Sequence, residues 1–134
     1  MAPVAFSYQA NAQSTFKPPV LSAENDNAFL GDVFSSDQIN PDKPMSAGFY
    51  RLEKGKPLVY TYTYDEMKII VEGDFTISDT TGQEVKAKPG DVFFFPDGAT
   101  ITFTTDNGVW RSSAGSARRY KLGRLDLVGS GRTW

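Results

Sequence analysis

Neither cysteine nor histidine occurs among the 134 residues. Without cysteine there is no disulfide framework, no thiolate zinc site and no thiol nucleophile, a composition that fits a reducing compartment. Without histidine the usual general base near neutral pH is missing, so proton chemistry has to run on Glu, Asp, Lys or Tyr. No run of about 18 apolar residues is present, and residues 1–8 have neither a basic start nor a long apolar stretch. These features predict a soluble, cytoplasmic protein with no membrane contact. Charge of one sign is scarce too: the formal net charge is −2, and the concentrated basic face that a nucleic-acid binder needs is not there. Small-molecule or protein partners are expected, a small-molecule substrate first.

What the chain does have is a series of short alternating segments divided by turn residues. Its length suits one domain with a real core. Residues 28–36 read as a strand bent at Gly31, 37–44 as a loop, 45–53 as a second strand and 54–57 as a turn. Residues 59–64 alternate strictly, which puts Tyr60, Tyr62 and Tyr64 on one face. After a turn, residues 66–72 place Glu66, Lys68 and Ile70 on a shared face. Residues 74–79 and 84–87 form a hairpin through Asp79-Thr80-Thr81-Gly82; short strands follow at 92–95 and 101–104, and Asp106-Asn107-Gly108 turns into 109–113. No helical period is sustained, so the fold class is an all-β sandwich or barrel. Residues 1–27 are an N-terminal arm, with a candidate strand at 4–8 and Phe6 and Tyr8 as anchors. The basic segment from Ala117, with Arg118, Arg119, Lys121, Arg124 and Arg132, reads as a solvated edge, and Tyr120, Leu122, Leu125 and Leu127 as part of a final outer strand.

Two stretches carry a family resemblance. Gly90, Pro96 and Gly98 match the second sequence motif of the cupin superfamily, with Ile101 where its metal-binding His stands and Thr105 where its Asn stands. Glu66 and Gly73 hold the Glu and Gly of the first motif, and Tyr60 and Tyr62 fall at its two histidines. Across residues 45–105 the chain resembles the small cupins of the ethanolamine-utilisation EutQ type, through Met45-Ser46-Ala47-Gly48-Phe49, Tyr64-Asp65-Glu66 with Glu72-Gly73, and Ala87-Lys88-Pro89-Gly90-Asp91 with Phe95-Pro96. The resemblance implies a single-domain cupin-like β-barrel, a double-stranded jelly roll, over residues 28–134. It also implies a homodimer, with the arm of residues 1–27 either exchanged between subunits or loose. Acetate kinase activity is attributed to that family, but no phosphate-cradling glycine loop of the P-loop kind is present here.

By the same resemblance Tyr60, Tyr62 and Glu66 point into the barrel, alternation adds Lys68, Ile101 and Phe103 supply an apolar wall, and Tyr64 and Glu72 serve the rim. With three of the four usual ligands replaced, no metal and no cofactor is expected. Glu66 and Lys68 are the candidate catalytic pair; Tyr60, Tyr62, Tyr64, Ile101 and Phe103 are the candidate substrate contacts. Burial raises the pKa of a carboxyl unless Lys68 holds it ionised; protonated it is a general acid, ionised a general base. The plainer reading is an internal ion pair among core aromatics. Two function classes follow: a metal-independent lyase or isomerase working by dehydration, isomerisation, cyclisation or decarboxylation on a small, partly apolar oxygenated metabolite, or a non-catalytic binding or scaffold protein.

Overall fold

The computed structural model describes residues 2–106 and 112–119. Their strands are β1 (Ala28–Ser35), β2 (Met45–Leu52), β3 (Leu58–Thr61), β4 (Asp65–Glu72), β5 (Phe75–Ser78), β6 (Glu84–Ala87), β7 (Val92–Phe95), β8 (Thr100–Thr104) and β9 (Ser112–Arg119). One turn of helix, α1 (Ala12–Thr15), precedes them. No helix among these residues is long and apolar enough to cross a membrane. The expected turn at residues 106–108 runs outside the described residues, as does the outer strand carrying Tyr120, Leu122, Leu125 and Leu127.

The strands form two antiparallel sheets, one in the order β1-β2-β9-β4-β7 and the other β3-β8-β5-β6. This is the all-β jelly roll the sequence predicts, with one difference: hydrogen bonding among the described residues does not run continuously round a barrel. Between the sheets lies a core rich in rings. Tyr50 packs on Phe75 and Phe103, Phe95 meets Phe103 edge-on, and Tyr62, Phe95 and Phe93 stack nearly parallel in sequence.

Turn chemistry fixes the motif glycines. Lys88-Pro89-Gly90-Asp91 closes with the Asp91 N–H donating to the Lys88 carbonyl and the Asp91 carboxylate accepting from the Lys88 N–H, while Gly90 takes φ 98°. At the end of β4 Gly73 has φ 71°, and a Cβ there would collide with Ser112 Oγ. That hydroxyl and Thr105 Oγ1 both donate to the Asp74 carbonyl, at 2.6 and 2.8 Å. Thr105 thus stands at the motif Asn position as a pin between β5 and β9.

Three expectations change. Residues 4–8 form no strand, because no strand lies beside them and Val4 and Phe6 stay more than nine-tenths exposed. The strand expected at 59–64 ends at Thr61, since the chain must leave one sheet there to enter β4 in the other. Finally, β9 runs to Arg119 through the centre of the five-stranded sheet, so the segment from Ala117 to Arg119 is not a solvated edge. Its alternate residues Ser112, Ala114, Ser116 and Arg118 face the core.

Candidate functional site

Register brings four charged side chains together on the inner face of the large sheet. In one cross-strand row Ser46 lies opposite Arg118, Arg118 opposite Glu66 and Glu66 opposite Phe95. In the next row Asp32 lies opposite Gly48, Gly48 opposite Ser116 and Ser116 opposite Lys68. Glu66 and Lys68 are two residues apart on one strand and so share a face. Gly48 and Ser116, both small, leave space in which the Arg118 side chain crosses diagonally to pair with Asp32.

The resulting cluster is a charged chain of Asp32, Arg118, Glu66 and Lys68. Lys68 Nζ is 3.3 Å from Glu66 Oε2, and Arg118 Nε is 3.9 Å from Glu66 Oε1. The side chains of Glu66, Lys68 and Arg118 are almost completely buried. Arg118 cannot shed its proton, so its presence is tolerable only because two carboxylates flank it. Burial lowers the pKa of Lys68, and the charge of Glu66 together with its hydrogen bond opposes that fall. Lys68 Nζ also sits 4.7 Å over the centre of the Tyr50 ring, a cation–π placement.

Three tyrosines close over the pair. The Tyr60 and Tyr62 rings meet edge-on at 4.8 Å, Tyr62 and Tyr64 at 5.6 Å, and the Tyr60 and Tyr64 hydroxyls are 3.1 Å apart. Burial first and the nearby Glu66 carboxylate second push the Tyr62 phenol well above the usual range. Burial also raises Tyr60, against the effect of its bond to Tyr64. These phenols are therefore neutral hydrogen-bond donors at ordinary pH. Tyr64, placed at the rim by the sequence, is instead only 3% exposed and belongs to the interior.

Tyr50, Tyr60, Tyr62, Tyr64, Glu66, Lys68 and Phe103 line one cavity together with Leu21, Leu30 and Leu58. Leu21 is held there by its N–H bond to the Ala28 carbonyl. The space open to the centres of water-sized molecules is ≈ 20 Å³, enough for about one water. Ile101 is buried but does not reach this cavity. It pairs with Tyr60 across the β3–β8 ladder, yet lines a separate groove of ≈ 310 Å³ with Ile77, Phe93, Phe95 and Thr100. Glu72 lies at the end of β4, partly exposed.

The four cupin ligand positions hold Tyr60, Tyr62, Glu66 and Ile101, and this set does not suit a transition metal. Isoleucine offers no donor, the phenols keep their protons, and the single carboxylate already faces two cations. Among the described residues no three acidic side chains gather as an alternative site.

Arg118 and Asp32 are the members that sequence reasoning missed. Their signal was present: alternation through Ser112, Ala114 and Ser116 leads to Arg118 as the next inward position. The basic run beginning at that residue masked it.

The double-sheet jelly roll with this motif geometry defines a cupin. Within that class, residues 22–110 match the model of the family "Ethanolamine utilisation protein EutQ", and the chain belongs to that family. It is 38% identical over 65 residues to "Acetate kinase EutQ" of Escherichia coli K12, and 35% identical over 65 residues to the protein of the same name from Salmonella typhimurium LT2. Each match covers 48% of this chain but only 27% and 28% of those relatives, so the match spans little more than a quarter of their length. The structure of the Clostridium difficile EutQ protein superposes with a TM-score of 0.63 at 21% identity, covering 80% of this chain and 82% of that one.

Proposed function

We propose that this protein is a cupin enzyme that moves protons on a small, partly apolar oxygenated metabolite, by dehydration, isomerisation, cyclisation or decarboxylation. The observation that carries this reading is the buried Glu66–Lys68 pair lining one cavity with Tyr60, Tyr62 and Tyr64. A carboxylate between Lys68 and Arg118 is set up as a base, and the ammonium beside it as the acid that returns the proton. Neutral phenols at Tyr60 and Tyr62 donate to an oxygen on which negative charge develops. The leucines and Phe103 exclude water and select an apolar portion of the substrate. No step requires a metal. The reducing-compartment composition supports a cytoplasmic location.

The test is deuterium incorporation or product formation, followed by NMR in D₂O, across a panel of small hydroxy and keto acids, aldehydes and enols. Glu66→Gln keeps shape and hydrogen bonding but cannot shuttle a proton, so turnover should fall about 10²- to 10⁴-fold. Unchanged turnover in that variant would refute the catalytic assignment. A second reading rests on the cavity's small free volume: a binding or scaffold protein, for which ligand affinity persists and no turnover occurs in either form. The relatives named acetate kinase motivate a third assay, phosphoryl transfer from ATP to acetate. We expect it to be negative, because the described residues include no glycine loop leading into a helix of useful length.

A further inference from the structure

We propose that Lys68 is also a covalent amine, which takes a short-chain aldehyde or ketone as an imine while Glu66 moves the protons. This rests on the acid–base reading of the pair and narrows its substrate class to carbonyls.

The geometry supplies each part. Lys68 lines the cavity, and its Nζ is 3.3 Å from a carboxylate that takes its proton. That transfer turns an ammonium–carboxylate pair into a neutral amine and a neutral acid without changing the net charge of the cluster. Arg118 remains balanced by Asp32 throughout. Burial lowers the pKa of Lys68, which favours loss of its proton. The Tyr50 ring under Nζ fixes the position of the nitrogen.

The chemistry closes on these atoms. The amine nitrogen bonds to the carbonyl carbon, and the carbonyl oxygen takes the proton held by Glu66. A proton from the new N–H₂⁺ returns to Glu66. Glu66 then delivers it to the departing hydroxyl, which leaves as water, and the nitrogen lone pair forms the C=N bond of a protonated imine. The result is an iminium beside the Glu66 carboxylate plus one water, with no oxidant or reductant. The iminium replaces the ammonium charge for charge, so Glu66 stays paired. It also acts as an electron sink for the proton abstraction or decarboxylation assigned above. The cavity's free space, ≈ 20 Å³, confines the substrate to small carbonyls and requires a partly buried lining residue such as Tyr60 or Leu21 to swing aside.

The probe is acetaldehyde with sodium cyanoborohydride, which reduces an imine and leaves an ethyl group on the nitrogen. The full wild-type chain is treated at neutral pH, digested and mapped by mass spectrometry. Lys17, Lys43, Lys54, Lys56, Lys86 and Lys88 are exposed and serve as internal references. Lys68 should be labelled ahead of them, since burial lowers its pKa and so raises its share of neutral amine. Glu66→Gln should remove that preference. Labelling of the exposed lysines with Lys68 untouched overturns the proposal without any variant having to fold. If Lys68 stays unlabelled while Glu66-dependent turnover persists, the covalent step is wrong and the acid–base reading survives. If Lys68 is labelled while Glu66→Gln keeps full turnover, the amine stands and the role of Glu66 falls.

Discussion

A guanidinium with no exposed surface has given up its hydration, and only close carboxylates can offset the loss. Arg118 is in that position between Asp32 and Glu66. Arg118→Met should therefore destabilise the protein by about 3–5 kcal/mol, because Asp32 is left buried against an apolar chain. Removing both partners in Asp32→Leu/Arg118→Met should recover most of that. Urea denaturation measures both, and a single variant within about 1 kcal/mol of wild type would mean that Arg118 reaches solvent. The phenols give a second prediction. Tyr50 and Tyr62 are raised in the folded state by burial first and by Glu66 second. The unfolded chain thus loses these protons first, so the stability they lend is whole below about pH 10 and is lost as pH rises toward the folded values. Lys68, lowered by burial, has the opposite sign and acts below that range. Tyr62→Phe should flatten the fall in urea midpoint above about pH 10; an unchanged slope would show that Tyr62 titrates normally. Glu66, Tyr60 and Tyr62 were legible from their motif positions and Lys68 from alternation alone, whereas Tyr64, expected at the rim, was not, because the chain leaves β3 at Thr61. Arg118 was not, because charge runs usually lie on the surface and only the register of β9 against β4 shows otherwise.

At the scale of elements the central device is the close passage of β1 over β2. A Cβ on Gly48 would strike the Gly31 carbonyl and the Asp32 backbone, so the strands meet this closely only with glycine there. The ladder shifts register between Asp32 and Phe34, one step beyond the Gly31 bend expected from sequence. As a result Asp32 and Ser35 both reach the inner side, Asp32 toward Arg118 and Ser35 toward Ser46 at 2.9 Å. Gly48→Ala should cost about 3 kcal/mol or more, since backbone rather than a flexible side chain must yield. Gly98→Ala is the control: φ is 95° but the space is open, so only conformational strain of about 1–2 kcal/mol is expected. Equal losses for the two variants in denaturant titrations would contradict this tight crossing. Most strand positions were readable from turns and period two. The sheet to which each strand belongs was not, which is why the strand carrying Tyr60 was expected to run on through Tyr64.

For the whole molecule the question is what covers its exposed apolar surface. On the outer face of the five-stranded sheet Met67 lies opposite Phe94 and Ile69 opposite Val92, all four 45–69% exposed. Ala117 and Gly115 continue those two rows across β9 without a charge. The same chain holds out an extended arm whose Val4, Phe6 and Tyr8 are 78–95% exposed. Each large apolar side chain kept in water forgoes about 1.5–3 kcal/mol, and a contiguous patch of this kind marks an association surface. A homodimer is therefore expected, with the sheet face of one copy against that of another and each arm lying along its neighbour. Such a contact uses the same surface twice and closes on itself. Light scattering at micromolar concentration should return twice the chain mass of 14.8 kDa. Met67→Lys/Phe94→Lys should shift the protein toward one chain, because two-fold pairing would bury four new ammonium groups. Deleting residues 2–9 should weaken association without unfolding the domain, since α1 and the residues after it that line the edge of β1 remain. A wild-type mass of one chain would sink the dimer. A double-lysine variant that remains dimeric would move the contact to another surface.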